Sequence, residues 1–316
     1  MSNRLRSCVT ASVLALAASA ALAQSAFGQS APPAAPTTVA PVTVQVAPPK
    51  VVEKQTYRFV QGYAAAPNPE LDQIARWRDP VCVQVVGLPD EQAVLVKARI
   101  EDVAKSLGLP KPRDGCSADV EVLFTGQPQA MMDAVYKRRE QLLGYYHRAD
   151  GKRLKTVTHP IQAWYVTATL GSGGDPENRF QSEREVIDDP DNLGPDGCGI
   201  NHFFTACVQG ELKNILVVAD TKALEGKDLG LIADYLVMLT LSQPKSLDAC
   251  NVLASVLDVL AKGCTGRDAP DGLTAGDAAY LTALYSADPE SRKWAEQSDI
   301  ARRMAKILIG AAAAKR

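Results

Sequence analysis

The chain has 316 residues, 46% of them hydrophobic, and a formal charge of −2. That is enough apolar material for one large core or two small ones, and the near-neutral balance gives no general pull towards nucleic acid or anionic membranes. Aromatic residues are scarce and Trp77, Trp164 and Trp294 are scattered, so no base-stacking platform is visible and no nucleic-acid partner is expected.

Arg4 and Arg6 open the chain with positive charge, and Val9 to Leu22 follows as an apolar run rich in small residues. Ala21-Leu22-Ala23 then fits the small-x-small rule for cleavage before Gln24. Residues 1–23 therefore read as a signal peptide, and the mature protein as periplasmic or secreted. The run falls short of the roughly 20 apolar residues a membrane span needs, and no later stretch is long enough, so no stable span is expected after cleavage. Cleavage removes Cys8 from the seven cysteines. Cys82, Cys116, Cys198, Cys207, Cys250 and Cys264 remain, an even set that in an exported chain reads as a disulfide framework. Many pairings are possible; order along the chain favours Cys82–Cys116, Cys198–Cys207 and Cys250–Cys264. A zinc site is disfavoured, because no Cys-x-x-Cys occurs and no histidine lies at zinc-finger spacing from a cysteine.

From Gln24 the chain is rich in Ala, Pro, Val, Thr and Gln, with no charge before Lys50. Residues 24–68 are expected to be a disordered, partly polyproline-like leader, and residues 69–312 a single globular domain. Glu70 to Trp77 reads as a brief helical lead-in. Pro80 to Val86 alternates like a strand. Leu88-Pro89-Asp90 opens a helix in which Val96, Ile100, Val103 and Leu107 recur at helical spacing, ended by Gly108. Asp119 to Phe124 is a second strand with Val120, Val122 and Phe124 on one face. Gln129 to Gln141 is a second helix lined by Met131, Val135 and Leu142.

Tyr136-Lys-Arg-Arg-Glu140 suggests an anion site, although a solvated helix face is the commoner meaning of such a run. Gln162 to Thr169 is a β-branched and aromatic strand. Gly171-Ser-Gly-Gly174 matches neither a nucleophile elbow nor a phosphate-binding loop. Asp175 to Gly199 is a polar loop in which Asp189, Asp191 and Gly194 imitate a calcium loop, but Leu193 and Ile200 stand where ligands are required. Asn214 to Ala219 is a strand, and Leu229 to Leu241 a helix apolar almost all round, the expected centre of the core. Further on, Thr274 and Asp277 form a capping box ahead of Leu281, Leu284 and Tyr285. A last helix begins at Asp288-Pro289 with Ile300, Met304, Ile307 and Leu308 as its stripe.

The only histidines are His147, His159 and His202, and none is four residues from another, which removes a histidine-pair zinc enzyme as a simple reading. No serine is paired by sequence with one of them, and spacing cannot measure the distance between carboxylates, so no catalytic residue is named.

Arg76-Trp77, then Pro80-Val81-Cys82-Val83 and Gly87, resembles the opening of a family of exported bacterial proteins with a zincin-like domain of unknown function. Gly272-Leu273-Thr274, Asp277, Leu281, Leu284 and Tyr285 resemble its closing segment. The resemblance spans about residues 70 to 310 and implies an α+β, zincin-like layered domain, a mixed sheet packed on helices, with a helical C-terminal part. In that family a strand precedes a helix with a histidine-glutamate motif. Laid on this chain, Asp234 and Tyr235 stand where histidine and glutamate would be, and Met238 where the second histidine would be. Without imidazoles there is no metal shell, and without the glutamate no base for water. The trio reads as a vestigial site, with no cofactor or metal. A structural aspartate, paired or bonded to a nearby loop, is favoured for Asp234 over a functional one.

The function expected is therefore a non-catalytic, disulfide-stapled binding module of the cell envelope, with an unidentified envelope protein or polymer as partner. The alternatives are an active periplasmic hydrolase with an unrecognised site, and a structural envelope protein tethered by its proline-rich leader.

Overall fold

A computed structural model describes residues 48–65, 73–144, 148–171, 208–264, 267–291 and 293–314. The expected signal peptide, the leader up to residue 47, the Cys198–Cys207 pair, His147, His202 and the polar stretch with its calcium-loop imitation lie outside these residues.

The described residues form seven α-helices and four strands: α1 Pro49–Tyr63, β1 Val83–Val86, α2 Asp90–Ser106, β2 Val120–Thr125, α3 Pro128–Arg138, α4 Arg148–Leu154, β3 Ile161–Gly171, β4 Val208–Asp220, α5 Leu229–Leu241, α6 Ala275–Ser286 and α7 Lys293–Ala314. The expected α+β class and mixed sheet are both found. The sheet order is β1-β2-β4-β3. Strands β1, β2 and β4 are parallel, because α2 carries the chain across between β1 and β2, while β3 runs antiparallel to β4 along one edge. β4 is therefore an inner strand, and Ile215 to Ala219 are buried in succession. Both faces of the sheet are covered, which explains why this segment is apolar without alternation. On one face Val120, Val122, Ile215 and Val217 join the large core around α5. On the other, Trp164, Leu216 and Val218 pack on Met132 and Val135 of α3 and on Leu142 and Leu143 of the adjoining 3-10 turn.

Several expectations are corrected. The leader does not extend to residue 68, since Pro49–Tyr63 is helix α1, packed along α7. Its buried residues Thr56, Phe59, Val60 and Tyr63 follow helical spacing, a signal outweighed by the proline-rich composition before it. The lead-in helix before β1 is absent over the described residues 73–77; Arg76 instead bridges to Glu211 of β4. Helix α3 ends at Arg138 and buries Met132 rather than Met131. The last helix starts at Lys293, and Ile307 is left exposed.

Two disulfides, Cys82–Cys116 and Cys250–Cys264, are formed as chain order suggested. The first ties the entry of β1 to the loop before β2, and the second closes the loop after α5. The capping box at Thr274 and Asp277 is also present: Thr274 Oγ1 accepts from Asp277 N, and Asp277 Oδ2 from Thr274 N.

Helix α5 lies at the centre of this arrangement, with every residue from Ile232 to Leu241 buried. Asp228 caps its start by accepting from Leu231 N at 2.9 Å. Its end poses the harder problem, because the last four carbonyls of a helix have no partner within it. Each of these four is met by a side-chain donor. Ser242 Oγ donates to Met238 O at 2.6 Å, Tyr165 of β3 to Leu239 O at 3.0 Å, the Trp77 indole to Thr240 O at 2.6 Å, and Tyr285 of α6 to Leu241 O at 2.9 Å. Next to this cap the Arg76 guanidinium is buried, with Nη2 on Glu296 of α7 and Nη1 on the Leu284 and Ala287 carbonyls. Burial lowers its pKa to about 10, which leaves it charged at neutral pH.

Trp77→Phe and Tyr285→Phe each leave one buried carbonyl unmet. Each is expected to lower unfolding free energy by about 1–3 kcal/mol, measured by urea denaturation followed by circular dichroism.

Candidate functional site

Helix α5 carries the three positions singled out from the sequence. Asp234 lies in its second turn, and the carboxylate is almost fully covered. Arg99 of α2 donates from Nε to Oδ1 at 2.5 Å, and the backbone N–H of Leu273 donates to Oδ2 at 2.8 Å. Gly272 is needed for that approach, since a Cβ there would sit 2.8 Å from Asp234 Oδ2. Asp234 thus joins α5 to α2 and to the segment leading into α6. It forms part of the wall of a shallow cleft of about 440 Å³ that also includes Leu95, Arg99, Asp102 and Asp271. Both carboxylate oxygens are already engaged, one by a cation and one by an amide, as a structural aspartate requires.

Tyr235 is 1% exposed. Burial raises its hydroxyl well above the ordinary tyrosine range, and the charge of Asp248 adds to the effect. It is a neutral phenol at physiological pH and cannot accept a proton from water as a glutamate would. Met238 is wholly enclosed by the core, its thioether a weak ligand and its carbonyl taken by Ser242. The three residues form no open, convergent set: Asp234 is held by Arg99 and Leu273, Tyr235 lies in the field of Asp248, and Met238 is sealed.

The described histidine, His159, sits just before β3. Its Nδ1 is 2.8 Å from Thr158 Oγ1, and its Nε2 is 3.2 Å from Asp248 Oδ1. Gln162 anchors this corner, with Nε2 donating to Thr156 O and Oε1 accepting from Thr158 N. The pairing of His159 with Asp248 left no trace in sequence, because the residues belong to different loops brought together by β3 and α5. Arg99 was within reach, being a cation at the margin of the stripe formed by Val96, Ile100 and Val103.

Cys250, Cys264 and Asp258 bring their sulfur and carboxylate atoms within 4.8 Å of one another. The sulfurs are bonded together. The Asp258 carboxylate accepts from Asn251 N, Asn251 Nδ2 and Ser255 N, so the group is a stapled loop with its own capping box.

Comparison with protein-family models, curated proteins and solved structures finds no match. No helix among the described residues is long and apolar enough to cross a membrane.

Asp234→Ala removes both contacts and leaves Arg99 and the Leu273 amide without their acceptor. It is expected to cost about 2–4 kcal/mol in urea unfolding, whereas Asp234→Asn, which keeps an acceptor for Leu273, should cost less than half as much. A pH effect is expected at Asp277. Burial raises its carboxyl above the ordinary 3.8, against the lowering by its bonds to Ser255, Val256 and Thr274. A raised folded-state value means a stabilising contribution that is full below 3.8 and is lost as pH rises through the folded value. Relative to wild type, Asp277→Asn should therefore gain stability as pH rises across that interval, read from thermal melts at successive pH values.

Proposed function

We propose that this protein is a non-catalytic, zincin-like binding module of the cell envelope, a pseudo-metallopeptidase exported to the periplasm or beyond. The observation that carries the reading is the state of Asp234. At the position where the family's helix would present a histidine, this chain has a carboxylate bound by Arg99 and by the Leu273 amide. Strand β4 leads into α5, a mixed sheet packs on helices, and α6 and α7 close the chain. This order is compatible with the resemblance read from the sequence. The two disulfides fit an oxidising compartment. The partner in this reading is an envelope protein or polymer, bound by the surface rather than cleaved.

An active hydrolase is the competing reading. Its one local support among the described residues is an imidazole beside a carboxylate at His159 and Asp248. The purified chain, with disulfides oxidised, should turn over neither casein nor quenched-fluorescent peptides above the buffer rate, with or without added zinc. Hydrolysis abolished by Asp234→Asn would overturn the proposal. Intact-mass measurement of the exported protein should give a mature chain beginning at Gln24, and retention of residues 1–23 would refute cleavage there.

A further inference from the structure

We propose that His159 and Asp248 form a binding site for a borderline divalent cation of the zinc, cobalt and nickel class, at the entry to β3. The site is separate from Asp234, and it stands or falls independently of the reading given to α5.

The argument begins with hydrogen-bond polarity. Gln162 Nε2 donates to the Thr156 carbonyl, which fixes Oε1 as the acceptor end of the amide. Oε1 accepts from Thr158 N at 2.8 Å and from the Thr158 hydroxyl at 3.2 Å. With its proton directed to Gln162, Thr158 Oγ1 accepts from His159 Nδ1–H at 2.8 Å. The relay assigns the proton of the neutral imidazole to Nδ1 and leaves a lone pair on Nε2. Such a hydrogen bond on the far nitrogen is how metal-binding imidazoles are oriented and made more basic.

Nε2 is buried and makes no hydrogen bond, yet Asp248 Oδ1 lies 3.2 Å away. In the neutral ring with its proton on Nδ1, Nε2 and Asp248 Oδ1 are two acceptors facing each other across a short gap. A cation seated beside both atoms satisfies them together. With metal–ligand distances of roughly 2.0–2.2 Å, neighbouring ligands stand about 3.0 Å apart in octahedral geometry and about 3.4 Å apart in tetrahedral geometry, and the observed 3.2 Å lies between these values.

The backbone that carries the second ligand is fixed in place. The Asp248 backbone carbonyl accepts from Gly263 N at 3.2 Å, and Gly263 adjoins Cys264 of the Cys250–Cys264 disulfide. A Cβ at position 263 would meet Asp248 O at 3.0 Å, so glycine allows this close approach. The Asp248 side chain is 57% exposed and has no other ion-pair partner among the described residues, so its carboxylate is open to solvent. Imidazole nitrogen with a single carboxylate suits zinc, cobalt or nickel better than the oxygen-only shells of calcium or magnesium.

The test is calorimetric titration of zinc into the full chain, chelator-stripped, with disulfides oxidised, at neutral pH. Cobalt provides a second readout through its visible absorption. Wild type should take up zinc, and His159→Gln and Asp248→Asn should each weaken binding at least tenfold. Thr158→Val should weaken it through loss of orientation, by about 10–100-fold, and Asp234→Asn should leave it unchanged. Metal-free melts establish that each variant is folded. No uptake at millimolar zinc, or uptake indifferent to both His159→Gln and Asp248→Asn, would reduce the pair to an ion pair only. Loss confined to Asp234→Asn would overturn both this site and the non-catalytic reading of α5.

Discussion

A helix without a solvent-facing side survives in water only if other elements enclose it and meet its terminal backbone groups. Leu229–Leu241 imposes that constraint on the whole chain, because its last four carbonyls end inside the core. Leaving four such groups unmet would cost about 1–3 kcal/mol each. The sum is comparable to the entire ~5–15 kcal/mol by which a domain is stable. The remedy is distributed: Ser242 follows the helix directly, Tyr165 comes from edge strand β3, Trp77 from the segment before β1, and Tyr285 from α6. Three distant parts of the chain must therefore be in place before α5 is satisfied. The start of the helix needs less, with Asp228 as a local cap and Asp234 tied to Arg99 and Leu273.

The residues that carry the family resemblance have structural work in this chain. Arg76 holds Glu296, Trp77 caps Thr240, and Cys82 is bonded to Cys116. Leu273 binds Asp234 through its amide, Thr274 and Asp277 start α6, and Tyr285 caps Leu241. These motifs fasten the opening and closing segments around α5.

Much of the fold was legible in sequence where local and tertiary demands agreed. Val96, Ile100 and Val103 mark the buried face of α2, Val120, Val122 and Phe124 that of β2, and Thr274 with Asp277 the start of α6. Legibility failed where tertiary context decided. Helix α1 was hidden behind proline-rich composition although Phe59, Val60 and Tyr63 are correctly spaced. Met132 and not Met131 faces the sheet, because the packing of α3 on Trp164, Leu216 and Val218 selects the Met132–Val135 face. At the candidate site, the apolar character of α5 announced its burial, and the charge of Asp234 announced a need for partners. That the partners are Arg99 and the Leu273 amide follows only from the packing of α2 and the approach of Gly272. The His159–Asp248 pair joins two loops with no periodic signal in either.

The central claim is that α5 is a structural rod, enclosed from Ile232 to Leu241 and met at each of its last four carbonyls, not a helix that opens to admit a metal or a substrate. Native-state hydrogen exchange of the α5 amides tests it most directly. If the account is right, amides from Ile232 to Leu241 exchange only through global unfolding, as slowly as the inner strand β4, and lose that protection together in Trp77→Phe. Fast exchange of the α5 amides by local opening, while β4 stays protected, would contradict it.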